Sequence, residues 1–220
     1  FHDSNITGVD MSGMDLTGTI LTGANLTYSN ITGVDLSGKD LTDTILVGVD
    51  MSDVDITGTI FDDDLSDVDL TVTVLIEDDM SGKDLSYTNL TGADLSGKDL
   101  SGTILRGANL SNTNLTNVDL SGKDLSHTNL TDADLSGMDL TDTILRRANL
   151  SGVNLTGTIL TGVNLSITIL TDVDLSGVNL TGTILTGVNL SDKDLTGTIL
   201  TGVDLTETIL TGADLTEANL

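Results

Sequence analysis

Carboxylates are the residues of this chain with the most obvious capacity for chemistry. Asp and Glu number 34 against 8 Lys and Arg, a formal net charge of −26. They crowd most densely at Asp62, Asp63, Asp64, Asp67, Asp69, Glu77, Asp78 and Asp79. Oxygen donors at that density suit a hard divalent cation, so Asp62, Asp64, Asp67 and Asp79 form a candidate calcium site. The competing reading is a solvated acidic bulge in a chain that is acidic everywhere. Neither a D-x-[DN]-x-[DN]-G loop nor a glycine-rich nonapeptide is present.

Beyond that cluster the chemistry thins out. His2 and His127 are isolated, and no acid/base pair, phosphate loop or triad spacing stands out, so no enzyme and no cofactor other than calcium is expected. Without cysteine there is no disulfide framework and no thiolate metal site. A strongly acidic chain with 2% aromatics does not neutralise phosphates, which excludes direct nucleic-acid binding. No apolar run approaches the roughly 20 residues of a membrane helix. Asn-Leu-Ser/Thr recurs, as at Asn89, Asn109, Asn129 and Asn189, and formally reads as a glycosylation sequon. Each of the three residues has its own structural reason to be there, which follows from how the chain is built.

An apolar residue recurs every five positions from Phe1 through Ile6, Met11 and Leu16 to Phe61. After one four-residue step, Phe61 to Leu65, the spacing runs unbroken in fives to Leu220. Around each of these centres the pentad is regular. Ser or Thr follows the centre in nearly every pentad, and all 24 glycines fall two residues after one. Asp or Asn usually precedes it, and a small or β-branched residue such as Ala24, Val34 or Thr103 stands two before. A period of five gives an apolar face neither to a helix nor to a straight strand. It does so if the chain turns a corner in every pentad, so that centres and the residues two before them point inward. Gly and Ser/Thr suit such corners, and the absence of proline suits a ladder that needs its N–H groups. The reading is an all-β solenoid.

Units such as Ala93-Asp94-Leu95-Ser96-Gly97, Ala133-Asp134-Leu135-Ser136-Gly137 and Ala213-Asp214-Leu215-Thr216 resemble the pentapeptide-repeat family from end to end of the chain. The resemblance implies a right-handed quadrilateral β-helix with four pentapeptides per coil. On that basis residues 1–220 make about 11 coils in a single domain with a register break at 61–65. Some members of the family bind type II topoisomerases as DNA mimics. The resemblance therefore implies DNA gyrase as one partner, although this chain lacks the dimerising helix and projecting loops of those members.

Counting four pentads per coil makes further expectations. Lysines at Lys39, Lys83, Lys98, Lys123 and Lys193 take the inward position two before a centre. A charge there is costly unless paired. Lys83 stacks on Asp63 and Lys98 on Asp78 as expected inter-coil ion pairs, while the other three lysines snorkel out at corners. Eleven pentads carry Ile or Val at the outward position before the centre. Eight of these form an expected lateral apolar patch on two adjacent sides: Ile20, Ile60, Ile159 and Ile199 on one, Ile45, Ile104, Ile144 and Ile184 on the next. The alternative is that single β-branched residues merely suit a strand.

The functional expectation is a structural rod that self-associates end to end or laterally into a filament or surface assembly. The start at Phe1 fits a processed or partial chain, and the absence of cysteine fits an extracellular or cell-surface setting better than the cytoplasm.

Overall fold

The computed structural model describes residues 1–49, 51, 54–56, 59, 65 and 80–220. The calcium candidates Asp62, Asp64, Asp67 and Asp79, the ion-pair partners Asp63 and Asp78, and Ile60 lie outside the described residues.

Each described pentad turns one corner. The N–H three residues past a centre donates to that centre's carbonyl, as Thr19 does to Leu16 at 2.9 Å and Ala133 to Leu130 at 2.9 Å. This closes a four-residue turn whose third residue has positive φ, 62–75° at the glycines and 50–64° at other residues such as Asp43 and Arg147. With negative φ at the Ser or Thr before it, the corner is of type II, which accounts for glycine's single phase in the repeat.

Between corners the coils meet edge to edge. Parallel bridges join Asn5 to Asn25, Asp84 to Ile104 and Asn129 to Asn149, and every described bridge spans twenty residues. A coil is therefore four pentads and four sides, and no residue is far from a corner. The chain falls into two compact units, Phe1–Val118 and Asp119–Leu220. The five-residue spacing itself continues through this boundary, from Leu115 to Leu120.

Both units have the same interior. Centres such as Leu26, Leu36 and Leu90 in the first unit and Leu130, Leu180 and Leu190 in the second are buried to 1% or less. Burying each contributes on the order of 1.5–3 kcal/mol. Ala24, Val34, Ala93, Ala133, Val163 and Val188, each two before a centre, are buried beside them. Threonine shares this inward position because its hydroxyl finds a carbonyl in the coil below. Thr44 donates to Leu21 at 3.0 Å, Thr88 to Leu65 at 2.8 Å, Thr143 to Leu120 at 3.0 Å and Thr198 to Leu175 at 2.9 Å. Thr128 and Thr168 turn instead to their own corners, donating to Leu125 and Leu165 at 2.7 Å. Buried hydroxyls must be paired, and these bonds stitch coil to coil in the core.

Candidate interaction surface

The outward residue before each centre is a corner cap. Asp10 Oδ1 accepts from the Ser12 N–H at 3.1 Å, and Asn25 Oδ1 accepts from both the Thr27 N–H at 3.0 Å and its hydroxyl at 2.6 Å. Asp139 holds Thr141 in the same way at 2.9 and 2.6 Å. Aspartate and asparagine perform this task alike, because each presents an oxygen two residues ahead of a donor. The hydroxyl and N–H of Thr141 hold the Asp139 carboxyl below its ordinary range, as Ser136 does for Asp134 and Thr206 for Asp204. Much of the acidic coat therefore has a structural role, with one carboxylate oxygen spent on the corner.

In the second unit these outward residues sort into four rows, one per side. In order around the coil, the Ile159 row is Asp119, Asp139, Ile159, Asn179, Ile199 and Asn219. The Asn164 row is Asp124, Ile144, Asn164, Ile184 and Asp204, joined by bridges at every step. The Ile169 row is Asn129, Asn149, Ile169, Asn189 and Ile209, with no charge at all. The Asp174 row is Asp134, Asn154, Asp174, Asp194 and Asp214, and the corner leading into it adds Asp132, Asp172 and Asp192. One side is acidic, and the side opposite it carries isoleucine and asparagine between aspartates at its two ends.

Isoleucine thus returns on every second coil, always with Asn or Asp between. Ile144 and Ile159 are exposed and Ile184 and Ile199 half-buried on two adjacent sides. Ile169 and Ile209, 52% and 50% exposed, occupy a third side that the two-sided expectation leaves out. In the first unit Ile20 and Ile45 are exposed on adjacent sides, and Ile104 is exposed above Asp84.

The inward lysines are half-buried. Lys123 lies near enough to Asp119 to lower its carboxyl further, and Lys98 acts likewise on Asp94. In both cases the carboxylate stands four residues earlier, across one corner. Lys193 donates from Nζ to the Val173 carbonyl at 3.0 Å, one coil below. That arrangement is legible in the recurring Asp-Leu-Ser-Gly-Lys string, because the residue two before one centre is also the residue that leaves the preceding corner.

Several corners place a side chain over the next coil's glycine. The Tyr28 ring covers Gly48, the Tyr87 ring covers Gly107, and Asp132 and Asp192 cover Gly152 and Gly212. A Cβ at any of these glycines would collide with the group above it. The repeat's glycine there follows from close approach as well as from positive φ.

Among the described residues no concave, water-excluding pocket holds converging titratable groups. An open crevice of about 460 Å³ lies beside Asn154, Leu155, Ile159 and Asn179, at the level where Asp174 forms no bridge. Among the described residues no three His, Asp or Glu side chains are grouped to hold a metal ion. No helix among them is long and apolar enough to cross a membrane. The surface can present a repeating pattern to another macromolecule, and no described constellation is arranged for bond making.

A family model for pentapeptide repeats matches the chain in 8 copies, over residues 1–38, 24–63, 64–97, 84–122, 108–147, 148–187 and 189–220. HetL, a pentapeptide-repeat protein involved in heterocyst differentiation regulation in the cyanobacterium Nostoc, is 32% identical over 100% of this chain and 88% of its own, with a TM-score of 0.38. A structure of QnrB1, a plasmid-mediated fluoroquinolone resistance protein, is 19% identical over 91% of this chain and 89% of its own, with a TM-score of 0.38. Rfr23 from the cyanobacterium Cyanothece is 28% identical over 66% of this chain and 92% of its own, with a TM-score of 0.22. No curated protein matches the sequence. On the family match, the chain belongs to the pentapeptide-repeat family.

Proposed function

We propose that this pentapeptide-repeat chain works without catalysis, as a scaffold that associates laterally with copies of itself. The observation that carries this reading is the sorting of the second unit's outward rows. Three sides alternate isoleucine with asparagine, two of them with two aspartates each and the Ile169 row with none, while four aspartates and the three of its leading corner gather on the fourth. A chain of net charge −26 repels its own kind unless it offers charge-poor faces; the Ile169 row has no charge, and the Asn164 row carries its two aspartates only at its ends. Sedimentation velocity and negative-stain electron microscopy across a wide concentration range test it. Oligomers or fibres that grow with concentration are expected; a monomer at every concentration would refute it.

A second reading is favoured by the Asp174 row. Its carboxylates repeat at about 4.8 Å per coil, so this side can present a line of negative charge to a basic groove. The partner on this reading is a type II topoisomerase such as DNA gyrase. The quadruple change Asp134→Asn, Asp174→Asn, Asp194→Asn and Asp214→Asn keeps every corner cap and removes the charge. Inhibition of gyrase supercoiling by the parent chain, lost in this variant, would support mimicry. Absence of inhibition by the parent chain would exclude it.

A further inference from the structure

The Asn164 row reads the same in both directions: Asp124, Ile144, Asn164, Ile184, Asp204. Its coils are bridged without a gap, from Asp124 to Ile144, Ile144 to Asn164, Asn164 to Ile184 and Ile184 to Asp204. The corner that follows this side is equally continuous. The N–H groups of His127, Arg147, Ile167 and Gly187 donate to Arg146, Ser166, Thr186 and Thr206 at 2.9–3.0 Å. Along that corner the third turn residues are His127, Arg147, Ile167, Gly187 and Glu207. Basic groups stand at one end, an acid at the other, and an exposed isoleucine in the middle.

From these two rows we infer that the self-association proposed above is an antiparallel, two-fold pairing of the Asn164 side of one copy with the same side of a second, centred on Asn164 and Ile167. A two-fold contact is self-complementary only if each row matches its own reverse. Reversing the face row sets Ile144 against Ile184 of the second copy and Asn164 against Asn164. Reversing the corner row sets His127 against Glu207, Arg147 against Gly187 and Ile167 against Ile167. Arg147 then lies one coil, about 4.8 Å, from Glu207 of the second copy, within reach of its long side chain.

A parallel two-fold pairing lays this corner row against the opposite corner instead, so Ile167 and Glu207 meet Gly162 and Gly202 and only Arg147 finds a charged group, Asp142. In the antiparallel arrangement each corner faces its own reverse. On the opposite corner Asp142 falls against Gly182, so no like charges oppose there. Asp124 and Asp204 do meet, at the two extremities where solvent screens them. Five coils span only about 20 Å, well short of the roughly 800 Å² per partner of a standard interface, so the dimer is weak and concentration-dependent.

The chain has no cysteine, so a single introduced thiol reports one site cleanly. Ile167→Cys in the full chain should cross-link to itself rapidly with a short bismaleimide, while Asn154→Cys, on the opposite side, should not. In sedimentation velocity, Arg147→Glu and Glu207→Arg should each weaken the dimer at least about tenfold, and the double exchange should restore it. Circular dichroism of each variant separates misfolding from lost contact. Oligomers that ignore the charge exchanges, or that link through Asn154→Cys, would overturn this pairing and leave self-association standing. Absence of any oligomer would overturn both.

Discussion

Replacing Thr183 with valine should stabilise the protein. Thr183 is fully buried, and its Oγ1 has no hydrogen-bond partner. It belongs to an inward row whose other members include Thr143, Val163 and Val203. Val163 fills the equivalent slot one coil earlier and is also 0% exposed, so a valine fits there by shape. Leaving a buried hydroxyl unpaired costs about 1–3 kcal/mol, and Thr183→Val removes that cost while preserving the branched outline. A gain of about 1–2 kcal/mol, or on the order of 2–8 °C in Tm, is expected for a chain of this size. Thr143 supplies the control, since its hydroxyl donates to the Leu120 carbonyl at 3.0 Å. Thr143→Val discards that bond and should lose about 0.5–1.5 kcal/mol. Urea unfolding followed by far-ultraviolet circular dichroism would compare the two midpoints at matched slope, the safer quantity for a solenoid. A fall in midpoint for Thr183→Val as large as that for Thr143→Val would show the Thr183 hydroxyl to be paired in solution, and the reasoning would fail.

Acid should loosen both units. The carboxyls of Asp10, Asp35, Asp119 and Asp139 are lowered by hydrogen bonds from the Ser or Thr two residues on. Depressed carboxyls stabilise the fold above their unfolded value, near 3.9, and that contribution disappears as pH falls through the lower folded value. Thermal melts from pH 7 to pH 2 should therefore stay level to about pH 4 and drop below it; a Tm that rises below pH 4 would contradict the capping role. Gly107→Ala should destabilise more than Gly97→Ala, because both glycines have positive φ but only Gly107 lies under the Tyr87 ring. The φ cost common to both is about 1–2 kcal/mol, and equal losses would show that the ring does not hold that place. Asp139→Asn should lose less stability than Asp139→Ala, since asparagine still presents an oxygen to Thr141, as Asn25 does to Thr27, and alanine does not; chemical denaturation distinguishes the two.

The interior was legible from residue types alone. A leucine every five residues can serve one core only if the chain bends between them, and that single requirement places Gly8, Val34 and Asp35 in their roles before any coordinates are known. The outer surface was less so. Assigning sides by pentad number located Ile144 and Ile184 on one side and Ile159 and Ile199 on the next. The third pair, Ile169 and Ile209, acquires meaning only when the alternation with Asn189 along a bridged row is seen. The lysines show a different obstacle. Lys123, expected to snorkel out at a corner, acts on Asp119, and Lys98 acts on Asp94, each within one corner, while the Asp78 expected to pair with Lys98 lies outside the described residues. The inward position sits at the mouth of a turn, and a long side chain there can leave the core sideways. The acidic coat was readable as charge but not as a set of caps, because the Oδ1 contact depends on the turn that it closes.

The twenty-residue coil also makes the chain a dial. Removing five residues, for instance 156–160, would leave every later leucine at its inward phase and every later bridge twenty residues long. The rows beyond the cut would nevertheless swing a quarter turn against those before it, bringing Ile169 and Ile209 in line with Ile144 and Asp174, Asp194 and Asp214 in line with Asn149. Removing or adding twenty would change length and leave every side where it was. Stability and surface address are thus written in separate units of the same sequence. A gain or loss of one pentad re-aims a face at little cost to the core, and the order of residues on a given side records how many pentads have come and gone.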